Sequence, residues 1–409
     1  MYTIKVKLYP NNETYNKLLV NCNASRFIYN WGLETSIKYY EKKSKFLSYC
    51  QLASKLKDFK EEYPWLKGCD STSLQQSLKD LNQAFKNFFR RLKKNKKSKE
   101  KQKLGFPKFK SKFKSKYSFR CVMNLKIENN KVKIGKYKDI TFRCSKRDMD
   151  LLNNYKIRNI TVSKDCEYFY ASILIDYDKP VNDNYIVKTC GIDVGVSKPF
   201  TLVYKLDGDI KANFVGIKIK NKLTNLELKR KKIQRSLSRK IKGSNNRNKY
   251  KLKLQRTFRK ETLVRKDFIE KYTTKLSNYF KAICLEDLKL KNMTKSNKGT
   301  KENPGKNVKA KSGLNREMLR IGFYSFKTRL LQKLEARNKV LVLVNPKFTS
   351  QTCNKCGYKY KDNRKSQSNF TCIQCGHTDN ADVNAALNIK DRGIKVLKYG
   401  DSVKYGKVA

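Results

Sequence analysis

Histidine is almost missing from this chain: its 409 residues include one, His377. That excludes mechanisms needing two histidines, such as a paired-histidine nuclease or a two-histidine acid–base pair. Catalysis must rest on carboxylates and metals, or on Tyr, Ser, Lys or Cys. Acidic residues are also scarce, 35 Asp and Glu against 95 Lys and Arg, for a net charge of +60. Such a charge repels itself unless a polyanion neutralises it. Nucleic acid is the expected partner, with binding that weakens steeply in salt; a basic protein on a membrane surface is the plainer alternative. No apolar run approaches the ~18 residues of a membrane span, and Val340-Leu341-Val342-Leu343-Val344 is typical of the longest. Met1 to Lys5 has no signal-peptide core, so a cytoplasmic location is expected. Hydrophobic residues at 39% and aromatics at 11% suffice for real cores, and the length suggests two to three domains.

Twelve cysteines fall into two groups. Eight are dispersed without motif spacing and read as reduced thiols. The other four form two C-x-x-C pairs, Cys353-Asn354-Lys355-Cys356 and Cys372-Ile373-Gln374-Cys375, fifteen residues apart. Gly357 and Gly376 follow directly and permit a tight knuckle at each pair. Four thiolates then converge tetrahedrally on one Zn²⁺, in a closed site that holds structure and does no chemistry. His377 lies just outside this filled shell and is expected to be solvated or to touch nucleic acid.

Periodicity outlines the elements. Tyr2 to Tyr9 alternates as a strand. Pro10-Asn11-Asn12-Glu13 reads as a turn and helix start; the helical stretch that follows is interrupted at Pro64 and resumes with Leu74, Leu78, Leu81, Phe85, Phe88 and Leu92. Lys86 to Ser118 then carries fifteen Lys/Arg and one acid, Glu100. Within it, Phe106-Pro107-Lys108-Phe109-Lys110-Ser111-Lys112-Phe113-Lys114 interleaves rings with lysines. Two readings are compatible: stacking on bases, or a solvated strand with Phe turned into a core. Asn124 to Tyr177 reads as strands and hairpins, joined by the first strand into a β-barrel interrupted by helices.

From Cys190 the texture changes. Gly191-Ile192-Asp193-Val194-Gly195 reads as a buried strand with Asp193 in its middle. Thr201–Tyr204 and Ala212–Ile219 continue as strands. Lys218 to Lys260 is a basic helical pair with eighteen Lys/Arg and one acid, Glu227, broken at Gly243-Ser244-Asn245-Asn246. Ala282 to Asp287 is an apolar strand ending in acid. Lys291 to Gly313 reads as a mobile loop, and Leu319, Phe323, Phe326, Leu330 and Leu334 as one helix. Val340 to Val344 is a strand, and Ala381 to Ile389 opens a final helix. Three strands, then helix–strand–helix–strand–helix, is an RNase H-like order in which the first and fourth strand ends lie side by side. Asp193, Glu286 and Asp382 then converge to hold two Mg²⁺ about 4 Å apart, one activating water and one stabilising the leaving oxygen of a phosphodiester. Asp287 competes with Glu286, which the strand end aims inward. Taken singly, Asp193 reads as a turn acid and Asp382 as an ordinary helix-start acid; together they favour the site.

Several stretches resemble the TnpB family of transposon-encoded, RNA-guided DNA endonucleases, related to the type V CRISPR effectors. They are Ser25-Arg26-Phe27-Ile28-Tyr29-Asn30-Trp31, Gly105 to Lys110, Gly191 to Gly195, Leu237-Ser238-Arg239-Lys240 with Gly243-Ser244, Leu285-Glu286-Asp287-Leu288, Thr349 to Gly357, and Asp382-Val383-Asn384-Ala385-Ala386. The resemblance implies an α/β plus all-β protein in four parts. A wedge β-barrel is expected at 1–10 and 105–185, and a helical recognition domain at 11–104. A split RuvC-like nuclease domain follows at 186–346 and 379–409, with the four-cysteine zinc module at 347–378 inserted. It implies Asp193, Glu286 and Asp382 as Mg²⁺-binding catalytic acids, and Cys353, Cys356, Cys372 and Cys375 as Zn²⁺ ligands. It also implies a guide RNA and a target DNA as partners and a short DNA motif read by the protein. A monomer with its RNA and a prokaryotic, nucleoid-associated location are expected. One position departs: many relatives have Arg two residues before the aromatic preceding the third cysteine, where this chain has Ser368, with Arg364 nearby. The rival readings are a miniature type V CRISPR effector, a guide-dependent repressor, and a transposase with an RNase H-like core.

Overall fold

The computed structural model describes residues 1–97, 103–178, 180 and 184–399, in two units, Met1–Lys179 and Pro180–Ala409. In the first unit, β1 (Tyr2–Tyr9) buries Ile4, Val6 and Leu8 and leaves Lys5 and Lys7 outside the core. Three helices follow: α1 (Asn12–Lys43), α2 (Tyr49–Glu62) and α3 (Ser71–Lys97). Each start is capped by a side chain that satisfies an otherwise orphaned N–H. Asn11 Oδ1 accepts from Thr14 N at 2.8 Å, Ser48 and Gln51 form a reciprocal box, and Asp70 Oδ1 accepts from Ser73 N at 2.9 Å. Pro64 starts a short 3-10 turn, since it cannot donate into a helix interior. Leu74, Leu78, Leu81 and Phe85, one stripe of α3, are buried with Ile28 and Leu33 of α1.

The chain then forms β2 (Ser118–Cys121), β3 (Leu125–Glu128), β4 (Lys131–Ile134), β5 (Tyr137–Arg143), α4 (Lys146–Asn154), β6 (Ile157–Asp165) and β7 (Tyr168–Ile175). With β1 they make one antiparallel seven-stranded sheet, ordered β2-β6-β7-β1-β5-β4-β3. Helix α4 breaks the expected run of strands: Ser145 Oγ accepts from Asp148 N at 3.1 Å, and Leu152 anchors the turn in the core. The lysine–phenylalanine segment is not a strand with a buried face. Pro107 lacks a ladder donor, and Asn30 takes both backbone groups of Lys110, donating to its carbonyl at 3.0 Å and accepting from its N–H at 2.8 Å. Phe106 packs on Phe85 and Phe88, whereas Phe109 is 56% and Phe113 89% exposed. Glu100, the lone acid of this basic run, lies outside the described residues.

In the second unit, β8 (Val187–Asp193), β9 (Phe200–Leu206) and β10 (Asp209–Val215) form an antiparallel meander. Two long helices, α5 (Ile217–Ser238) and α6 (Asn245–Tyr279), lead to β11 (Phe280–Glu286), parallel to β8. Then come α7 (Leu290–Met293), α8 (Val308–Ile321), α9 (Phe323–Glu335) and β12 (Val340–Val344), parallel to β11. The sheet order is β10-β9-β8-β11-β12; each parallel step needs a helical crossover, which α5–α6 and α8–α9 supply. The chain continues through β13 (Asn369–Thr371) and β14 (Thr378–Asn380) into α10 (Ala381–Tyr399). Four expectations change. Ile217 to Ile219 are helical because Gly216, at φ 97°, ends the strand. Residues 308–313 belong to α8 rather than to a loop. The single helix expected around 319–334 is two, hinged at Gly322 with φ 80°. Asp193 closes its strand instead of sitting within it. Residues 400–409 of the expected nuclease segment lie outside the described residues.

Candidate catalytic and metal sites

Three elements deliver the acids. Leu285 of β11 pairs with Ile192 of β8, so the parallel register brings Asp193 and Glu286 to the same ends of adjacent strands. Helix α10 lies against β8 closely enough that a Cβ on Gly191 would come within 2.2 Å of the Ala386 carbonyl oxygen. Only glycine permits this approach, which carries Asp382, in the first turn of α10, toward Asp193. Burial, then Glu286, then Asp382 push the Asp193 carboxyl up to about 7. Burial also raises Glu286, offset by Thr349 and Arg392, and Asp382, offset by Arg364 and Lys198. Asp287 instead pairs with Lys327 at 3.1 Å.

Asp193 thus feels both other carboxylates in a desolvated place, where ionising all of them is costly unless cations arrive. They suit hard divalent cations, which prefer oxygen donors. Among the described residues, the one group of ligand atoms all within 4.8 Å of each other is the cysteine set, not the acids. The acids therefore share a field, at wider spacing than a single-ion cage.

The four cysteines converge. Cys353 and Cys375 sulfurs lie 3.7 Å apart and those of Cys356 and Cys372 3.6 Å apart. Tetrahedral Zn–S bonds of ~2.3 Å require an S···S edge of about 3.8 Å, so the set fits zinc. Gly357 (φ 78°) and Gly376 (φ 67°) close the knuckles, donating N–H groups to the Cys353 and Cys372 carbonyls at 2.9 and 3.0 Å. Burial would raise the Cys372 thiol, but the N–H groups of Cys375 and Gln374 hold it below the usual thiol range. His377 is half-buried rather than solvated, and its Nε2 is buried without a partner.

Four residues carry more than sequence reasoning assigned them. Buried Thr349, at the entrance to the cysteine module, donates its hydroxyl to Glu286 Oε1 at 2.5 Å. Arg364, within the module, lies 3.6 Å from Asp382 Oδ1. Asn388 Nδ2 donates to the carbonyls of Thr349 and Thr352 at 2.9 and 2.7 Å. Asn384 donates to Thr352 O at 2.9 Å and accepts from Asn354 N at 3.0 Å. Two buried asparagines four apart among the apolar residues that open α10 were the available signal for Asn384 and Asn388; Arg364 was marked only by its nearness to Ser368, and Thr349 only by the stretch it begins.

Three family models match the chain: "Helix-turn-helix domain" over residues 2–45, "Probable transposase" over 172–297, and "Cas12f1-like, TNB domain" over 323–389. Residues 2–45 here are one strand and one long helix, β1 and α1. The chain is 36% identical to an Escherichia coli (strain K12) protein named "Putative RNA-guided DNA endonuclease InsQ", over 100% of this chain and 96% of that one. It is 27% identical to "Putative RNA-guided DNA endonuclease" of Streptomyces pristinaespiralis, over 98% and 91%. The CRISPR-associated endodeoxyribonuclease Cas12f1 of Syntrophomonas palmitatica matches 13% of the chain and 11% of its own length, at 42% identity. In fold, the chain is similar to the protein in a Cas12f1–sgRNA–target DNA complex, with a TM-score of 0.52 over 92% of this chain and 82% of that one, at 16% identity.

Proposed function

The chain belongs to the TnpB family, and from that premise we propose that it is a transposon-encoded, RNA-guided DNA endonuclease with Asp193, Glu286 and Asp382 as its catalytic acids. The observation that carries the site is the field of Glu286 and Asp382 at the buried Asp193, which the close approach of β8, β11 and α10 creates. In this reading, the sheet β10-β9-β8-β11-β12 with α10 is a RuvC-like, RNase H-type core, 186–346 and 379–409, split by the zinc module 347–378. The seven-stranded sheet is the wedge barrel, 1–10 and 105–185, and α1–α3 fill the recognition domain 11–104.

Two Mg²⁺ ions bound by the acids would supply charge for attacking and leaving oxygens. The chain's own part is to hold the carboxylates ready. Thr349 fixes one oxygen of Glu286, leaving the other free. Arg364 neutralises Asp382 and takes the place of the arginine absent at Ser368. Cys353, Cys356, Cys372 and Cys375 hold Zn²⁺, which fixes the module carrying Thr349 and Arg364. Base pairing of the guide RNA supplies target choice, while the basic surface holds the heteroduplex. Transposon origin is favoured over a CRISPR context, because InsQ matches end to end while Cas12f1 matches a short segment.

Asp193→Ala should keep guide-RNA binding and lose plasmid cleavage. Undiminished cutting would sink the assignment.

A further inference from the structure

Residues 103–117 carry six lysines and no acid. The segment is tied down at two points. Asn30 clamps the Lys110 backbone, and the Lys110 ammonium lies 3.7 Å from the centre of the Tyr29 ring. Phe106 is pinned on Phe85 and Phe88. These anchors leave Phe109 and Phe113 without a ring partner among the described residues, at 56% and 89% exposure. Phe113 sits at the head of a turn closed by Ser115 N donating to Ser111 O at 3.0 Å, with its own N–H donating to Ser111 Oγ at 3.3 Å. Lys108, Lys112, Lys114 and Lys116, which flank the two rings in sequence, are all exposed.

A held backbone that presents bare phenyl rings between cations has no use in water, where such rings are costly. It suits a polymer with a flat apolar face and a regular negative charge. We propose that Phe109 and Phe113 form a stacking platform for unpaired nucleotides, with Lys108, Lys112, Lys114 and Lys116 holding the phosphates between the stacked bases. Paired bases are already stacked on their neighbours, so the platform selects single-stranded over duplex nucleic acid. A protein partner fits less well, because it would have to be both acidic and aromatic-binding along the whole segment. The inference rests on the reading of the chain as a nucleic-acid-binding nuclease and names one strand contact within it.

The test uses the full chain carrying Asp193→Ala, so binding is read without turnover. The probes are single-stranded oligothymidylate, single-stranded oligouridylate and a duplex of matched length, titrated over a range of salt. Phe109→Ala with Phe113→Ala should weaken single-strand binding about tenfold or more, leave the salt slope unchanged and leave duplex binding unchanged. Lys112→Gln with Lys114→Gln should flatten the salt slope instead. Phe113→Trp should restore binding, and the new indole emission should be quenched by the single strands. Preference for the ribose or the deoxyribose probe identifies the strand as RNA or displaced DNA. Equal single-strand affinity of the double alanine variant overturns the proposal, as does equal loss on duplex or absent quenching. Indifference to ring loss in a chain that still cuts refutes this inference alone. Ring-dependent binding in a chain that never cuts with Asp193 restored refutes the nuclease reading alone.

Discussion

Folding of the metal-free chain favours the protonated form of the Asp193 carboxyl. That carboxyl is pushed up to about 7 from an ordinary 3.8 by burial and by Glu286 and Asp382. The folded state then binds more protons than the unfolded state between those values, so stability falls as pH rises from about 4 to about 7 and levels beyond. Thermal unfolding in chelator should show this fall in the native chain and a shallower one in Asp193→Asn. Divalent cations at the proposed site would compete with the same proton, so cleavage at limiting Mg²⁺ should climb over this pH range. Thr349 donates its hydroxyl to Glu286, which makes it a positioning residue in the proposed site. A hydrogen bond to a charged group is worth ~1.5–3 kcal/mol, so Thr349→Val should slow cleavage about tenfold at low Mg²⁺. Thr349→Ser should keep the native Mg²⁺ dependence. Equal Mg²⁺ curves for the valine and serine variants would remove Thr349 from the site.

At the scale of elements, the cysteine module joins structure to chemistry. Its spacing was readable because two C-x-x-C pairs with glycine behind each leave few other uses. Its reach into the acid site was not readable, because the module's Thr349 lies 63 residues from Glu286 and Arg364 lies 18 from Asp382. Stripping zinc with a strong chelator should therefore abolish cleavage while the five-stranded sheet keeps its far-ultraviolet signature. About one zinc per chain should survive dialysis, since four-thiolate sites are closed. The segment around Phe109 shows the opposite case. Alternation of Phe and Lys suggested a strand, but Pro107 and the Asn30 clamp removed the backbone groups a ladder needs. Helix α4 escaped notice because its nine residues bury one side chain fully, Leu152, too few for a period.

For the whole molecule, the surplus of +60 sets the scale of binding. Contacts to six or more phosphates cost ~10³-fold in affinity between ~50 and ~200 mM salt. Guide-RNA affinity should drop by at least about that factor, and a flat salt profile would separate the charge from the function. No helix among the described residues is long and apolar enough to cross a membrane. Composition alone pointed to a polyanion, because charge is a sum over residues and needs no fold. Most strands and the four-cysteine spacing were also legible, since each is written in local pattern. Only the tertiary structure decided that Asp193 and Glu286 share adjacent strand ends, that Gly191 admits α10, and that Phe109 and Phe113 stand exposed. Those outcomes depend on register, close packing and competition for backbone hydrogen bonds, which are settled between residues far apart in the chain.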